Sequence, residues 1–275
     1  MQLARKKAEL NDVATEQQLE TDGYILLRNV IPPQKIKQLK ELYESLHVNK
    51  NDRNDMWNSL YNLPNGQGMK VSHIIQPLVL PYLEPLFKSL KVMMYTYMVK
   101  NPVEHTFCKL HRDYSSFDED VFEYRNAWIP LVEVNETNGA LLVVPKSHGV
   151  FEYCLPMFTD WPYENMLPEL MKKAKVIQAQ PGDMVIYKDR TLHGSEQNRS
   201  HQTRPVLHFG LLHPEASLSY YHLNRIANEV EVYEVDVDFY FQKNYEEALT
   251  GRSLVKHFIY SPPCLKMVEV EKKMV

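Results

Sequence analysis

Seven short segments rich in β-branched, aromatic and methionine residues, at 92–99, 105–110, 127–134, 140–144, 176–179, 184–187 and 206–212, constrain the fold of this chain most. Residues of these types in runs of four to eight read as strands. Turn-forming sequences separate them, among them Asn101-Pro102, Asn138-Gly139 and Pro181-Gly182-Asp183, with one helical insertion at 164–173. Strands in this order, without regular strand-helix alternation, argue against a doubly wound parallel sheet and for a sandwich, jelly roll or barrel.

The flanks have a different texture. Residues 24–30 read as a strand, and Pro32-Pro33 opens a helix that sets Ile36, Leu39, Tyr43 and Leu46 on one face. The polar stretch 49–68, rich in Asn, Asp and Gly, predicts a long surface loop or a lid over a site. Pro77, Pro81 and Pro85 each remove a backbone donor, which predicts short helical turns there in place of one helix. Beyond Pro214 we expect a helix and a strand-like run at 230–241. The whole reads as one domain over 1–275: a helical and strand cap at 1–90, a β core at 91–213 and a C-terminal extension at 214–275.

Composition narrows the function classes. With 31 Lys and Arg against 35 Asp and Glu, net charge −4, and no block of basic residues, nucleic acid and anionic membranes are not expected partners. No apolar run reaches the roughly 18 to 20 residues that span a bilayer. Three scattered cysteines, Cys108, Cys154 and Cys264, signal neither a disulfide framework nor a zinc knuckle. A cytoplasmic, unprocessed protein with a small-molecule substrate is the expectation.

The chemistry-bearing residues sit among the strands. In Leu110-His111-Arg112-Asp113-Tyr114 the alternation of an extended segment turns His111 and Asp113 to one face, where both can ligate a metal. A surface ion pair is the bland alternative, and His213-Pro214-Glu215 has a similar form. His193, just past the run 184–187, can supply a third ligand, because a jelly roll brings distant strands together. Two His and one carboxylate on one face of an octahedral metal leave positions open, which suits non-haem Fe(II) with a bidentate co-substrate and O2. Arg204, eleven residues past His193, offers a planar fork for a carboxylate such as the distal one of 2-oxoglutarate.

Taken together, His193-Gly194-Ser195, Asn198, Ser200 and Arg204, with Asn138-Gly139-Ala140-Leu141 leading to Val144-Pro145-Lys146-Ser147-His148, resemble the phytanoyl-CoA dioxygenase family of Fe(II)/2-oxoglutarate oxygenases. The entry 22–30 is similar to that family's N-terminal strand and helix, so the resemblance runs over about 19–212. It implies a mainly β fold with flanking helices around a double-stranded β-helix, the cupin-like jelly roll. It also implies Fe(II) held by His111, Asp113 and His193, and 2-oxoglutarate held by Arg204 with Ser195 as a second donor and Trp128 beside it. Lys146 stands where the family usually has glycine, which bears on turn geometry. Relatives that halogenate lack the carboxylate ligand, so Asp113 implies hydroxylation of an unactivated C–H bond, with O2 consumed and succinate and CO2 released.

The absence of an evident basic cluster disfavours a coenzyme A thioester and favours a small polar metabolite, an amino acid or similar acid. Arg112 and Arg125 are candidate anchors for its acid group. Tyr95, Tyr97, Tyr114 and Tyr124 are candidate pocket walls. His208 reads as a core residue, and His148 as structural. A non-catalytic jelly-roll module, a cupin-type metal-dependent isomerase, and an oxygenase acting on acyl-CoA or a protein side chain stay open as alternatives.

Overall fold

A computed structural model describes residues 4–46, 56–64, 66–102 and 106–274. The N-terminal part holds α1 (Val13–Asp22), β1 (Tyr24–Leu27), α2 (Pro33–Ser45), β2 (Trp57–Asn58) and α3 (Gln67–Leu83). The middle supplies β3 (Lys91–Lys100), β4 (Cys108–His111), β5 (Arg125–Pro130), β6 (Leu141–Val143), α4 (Leu167–Met171), β7 (Lys175–Ile177), β8 (Met184–Lys188), β9 (His193–Ser195) and β10 (Arg204–Leu212). The C-terminal part adds β11 (Leu218–Asn224), β12 (Glu229–Val235), α5 (Tyr245–Ala248), β13 (Leu254–Ile259) and α6 (Met267–Lys273).

Two antiparallel sheets face each other. The larger runs β1-β8-β5-β10-β3-β2 and the smaller β4-β9-β6-β7, the interleaved order of a double-stranded β-helix with flanking helices. Alternation divides each large-sheet strand between two layers. Ala127 and Ile129 of β5, Met184 and Ile186 of β8, and Leu207, Phe209 and Leu211 of β10 face the helices. There they meet Ile36 and Leu39 of α2 and Ile75, Val79 and Leu83 of α3. Trp128, Val185, Tyr187 and Val206 point the other way, against Leu141, Val143 and Ile177 of the small sheet. Burying each such aliphatic side chain contributes about 1.5–3 kcal/mol before conformational entropy is subtracted.

The seven expected strands are present with shifted ends, β3, β8 and β10 longer than expected and β5 and β6 shorter, although 103–105, and with it His105, lies outside the described residues. Several expectations are corrected. Residues 67–83 form one helix with Pro77 and Pro81 inside it, not separate turns. Both prolines are exposed and four residues apart, so the carbonyls left unbonded, those of His73 and Pro77, also fall on the solvent face, where water can satisfy them. Of the stretch 49–68, residues 49–55 and 65 lie outside the described residues. The remainder is not a plain loop, since β2 pairs with β3 and α3 starts at Gln67. After Pro214 the chain forms a three-stranded sheet, β11-β12-β13, of which only part of β12 was anticipated. No helix among the described residues is long and apolar enough to cross a membrane.

Candidate metal centre

The two metal strands are brought close by a glycine and a bulge. At Gly194 an added Cβ would lie 2.7 Å from the Cys108 carbonyl oxygen, so a side chain there would push β9 off β4. The β4–β9 register then slips between Cys108 and His111, as a bulge does. His111 thereby comes opposite His193, with ring centroids 4.4 Å apart. Asp113, two residues beyond the end of β4, has Oδ1 3.7 Å from His193 Nε2. One ligand atom from each of His111, Asp113 and His193 lies within 4.8 Å of the others.

Their orientation is set from behind. His111 Nδ1 donates to the Lys109 carbonyl at 2.8 Å and His193 Nδ1 to the Thr191 carbonyl at 3.0 Å, each two residues upstream, which leaves both Nε2 atoms as acceptors. Asn126 Nδ2 donates to Asp113 Oδ2 at 2.6 Å, leaving Oδ1 toward the histidines. Burial pushes the His193 imidazole down to about 4, so it is neutral near pH 7. Burial would raise Asp113, but the facing histidines, whose interaction favours the carboxylate, and the Asn126 amide outweigh it and hold the group below its ordinary value. His111 is instead raised to about 9, its burial outweighed by Cys108 and Asp113, so it gives up a proton on ligating; two imidazole nitrogens and a carboxylate oxygen are then a donor set for a borderline divalent metal.

Around this triad lies a space of about 90 Å³ between the sheets, reached by Trp128, Ser195, Arg204 and His208. Arg204 is 2% exposed, with no carboxylate partner and no bonded partner for Nε among the described residues. It lies over the Trp128 ring at 5.5 Å, and burial pulls it down to about 10. Lys100, fully buried, is lowered to about 7 by burial and then by the charge of Arg204. Among the described residues its Nζ donates only to the carbonyls of Ser195 and Glu196. Buried without an ion-pair partner among the described residues and flanked by the Lys100 amine, the Arg204 guanidinium is placed to receive an anion beside the triad.

The expected substrate anchors are not in this space. Arg112 is buried with Nη2 on Glu119 Oε1 at 2.6 Å and Nη1 on the carbonyls of Phe151 and Tyr153. Arg125 grips Glu16 through two bonds of 2.6 and 2.8 Å and also holds Glu20, Glu123 and the Ala8 carbonyl. Both guanidiniums are saturated by the protein's own acids, which removes them as anchors. Tyr95 and Tyr97 face the helices, since the inner face of β3 carries Met98. Tyr124 packs on Phe117, and Tyr114 is 40% exposed at the mouth, 6.3 Å from Phe158. Lys146 takes the left-handed conformation, φ 64°, that glycine would favour, while His148 bonds the Glu20 carbonyl at 3.0 Å, a structural role.

Sequence reasoning missed Asn126, Lys100, Tyr187 and the position of His208. His208 Nε2 lies 3.2 Å from the Tyr187 hydroxyl, in the pocket. The signal was available, because a period of two puts residue 208 on the same face as 204 and residue 126 on the same face as 128.

Residues 19–206 match the family model described as phytanoyl-CoA dioxygenase (PhyH). No curated protein matches the chain in sequence. Among solved structures, the chain is similar to the non-heme alpha ketoglutarate dependent epimerase SnoN from nogalamycin biosynthesis, with 20% identity, 74% of this chain and 82% of that one covered, and TM-score 0.56. It is likewise similar to the carbocyclase SnoK from the same biosynthesis, with 17% identity, 78% and 90% coverage, and TM-score 0.57. A third is HygX from Streptomyces hygroscopicus with nickel and 2-oxoglutarate bound, with 13% identity, 74% and 88% coverage, and TM-score 0.54. At these identities the likeness is one of fold. The family match covers most of the chain, which therefore belongs to the phytanoyl-CoA dioxygenase family, within the 2-oxoglutarate-dependent oxygenases.

Proposed function

We propose that the protein is an Fe(II)- and 2-oxoglutarate-dependent dioxygenase that hydroxylates an unactivated C–H bond of a small polar acid. The observation that carries this reading is the unpaired, buried Arg204 guanidinium in the same space as the three ligand atoms. In it, His111, Asp113 and His193 hold Fe(II), Arg204 takes the distal carboxylate of 2-oxoglutarate, Ser195 is its second donor and Trp128 its flat wall. Bound together, iron, 2-oxoglutarate and O2 supply the oxidising chemistry: the keto acid becomes succinate and CO2, one oxygen atom going to succinate and the other to the substrate C–H bond. The chain's own part is to hold both imidazoles as Nε2 ligands, to aim Asp113 through Asn126, and to neutralise the co-substrate with buried cations. The Asp113 carboxylate supports hydroxylation over halogenation, which needs that position vacated.

Anaerobic titration of apoprotein with Fe(II) and then 2-oxoglutarate tests this. The parent is expected to develop the visible charge-transfer band of a keto acid chelated to ferrous iron. His111→Ala and Asp113→Ala lose it, and Arg204→Met weakens 2-oxoglutarate affinity at least tenfold while still binding iron. Absence of the band with metal bound to the parent overturns the reading. With a substrate in hand, a product 16 mass units heavier distinguishes hydroxylation from epimerisation or cyclisation.

A further inference from the structure

The space at the triad is small, and the body of a substrate has to be received elsewhere. A cavity of about 700 Å³, within the range that holds drug-sized ligands, opens between the segment before α3, the 157–159 segment, β11 and the start of α5. Most of its wall lies beyond residue 206, outside the region the family model matches.

A file of aromatic rings runs from the residue next to Asp113 to the cavity wall. Tyr114, the residue after Asp113, stands 6.3 Å from Phe158, Phe158 stands 5.8 Å from Tyr245, and Tyr245 stands 5.5 Å from Tyr220. Tyr61, half exposed and also lining the cavity, has its phenol raised by desolvation and then by the Asp113 charge. Phe158 is unusual: a bulky residue at φ 60°, with 60% of its surface open. Such backbone strain is retained where the surroundings fix it, and here Arg225 Nη2 donates to the Phe158 carbonyl at 3.2 Å. Arg225 and Lys243 line the cavity together with one acid, Glu246, and neither cation has a carboxylate within ion-pair distance among the described residues.

We infer that this cavity, built by the C-terminal extension, is the substrate pocket, and that its ligand is an acid carrying a planar ring. The ring stacks among Tyr61, Phe158 and Tyr245, and the acid group meets Arg225 and Lys243. The inference rests on the proposed oxygenase reading for the reaction, but not for the binding.

The probe is naphthalene-2-acetate, with naphthalene-2-acetamide and L-alanine as the uncharged and ringless comparators. Binding is measured by calorimetry under nitrogen to protein loaded with Fe(II) and 2-oxoglutarate, and to apoprotein. The naphthyl acid is expected to bind at least tenfold more tightly than either comparator. Phe158→Ala and the exposed Arg225→Glu each weaken it at least tenfold, with the keto-acid band and 2-oxoglutarate affinity unchanged. Arg225→Glu alone decides the matter if Phe158→Ala does not fold. If the naphthyl acid binds no better than L-alanine, or Arg225→Glu leaves its affinity alone, the inference fails while the band still stands or falls by itself. If the band never forms but the acid binds and responds to Arg225→Glu, the pocket stands and the oxygenase reading fails.

Discussion

At the residue scale, the candidate centre depends on groups that never touch the metal position. Asn126 holds one carboxylate oxygen of Asp113, and without it the carboxylate is free to rotate away from the histidines. Loss of such a supporting partner typically costs 10–100-fold in metal affinity. Asn126→Ala is therefore expected to lower Fe(II) affinity by about that factor in anaerobic titration, with far-ultraviolet circular dichroism unchanged. Unaltered affinity would remove Asn126 from the positioning role. The grouping of His111, Asp113 and His193, with Arg204 in the same space, was legible in the sequence because each carries its chemistry in a recognisable local string. Asn126 and Lys100 were not, since their meaning lies in partners thirteen and about a hundred residues away. The same limitation misplaced Arg112 and Arg125, whose acids, Glu119 and Glu16, become neighbours only through folding.

At the element scale, α3 is a helix maintained against its prolines by its buried face, Val71, Ile75, Val79 and Leu83. Local propensity argued for breaks, and tertiary burial prevailed. Proline in a helix interior costs up to about 3 kcal/mol relative to alanine, offset here by solvation of the freed carbonyls. Pro77→Ala is expected to stabilise the protein by about 1–2 kcal/mol, read as a higher urea midpoint at unchanged slope. An unchanged or lower midpoint would mean that the proline's stiffening of the unfolded chain outweighs the restored bond. Strands were legible where apolar runs were long. β9 has three residues including a glycine, and β13 is almost wholly exposed, so neither carries the burial pattern by which a strand announces itself.

At the scale of the whole molecule, a network of buried charge fastens the N-terminal segment to the large sheet. Glu123 lies 2.9 Å from both Arg125 Nε and Lys188 Nζ, and 3.3 Å from Arg5. Burial alone would raise Glu123, but Lys188, Arg125 and Arg5 outweigh it and hold it at about 2, against 4.5 in an ordinary setting. A depressed carboxyl contributes stability that is complete above the unfolded value and is lost as pH falls toward the folded one. The parent is therefore expected to lose stability steeply between about pH 4.5 and pH 2. Glu123→Gln is expected to be less stable at pH 7 by about 3 kcal/mol or more, with a flatter profile in that window, as thermal melts across pH would record. Parallel profiles for parent and variant would assign the acid sensitivity to other carboxyls.

The strand order also has a temporal side. β1 pairs with β8, and β10 lies between β5 and β3, so neither the β1 edge nor the middle of the large sheet can close until β8 and β10 have been made. At about 5–20 residues per second, the 160 or so residues between β1 and β8 correspond to roughly ten to thirty seconds on the ribosome. For that interval α2 and β1 keep their apolar faces without the sheet that covers them, a period of exposure to chaperones and to neighbouring nascent chains. His193 emerges after β8, so the three groups of the candidate centre first meet once β9 has been made, and any metal is acquired only after that strand.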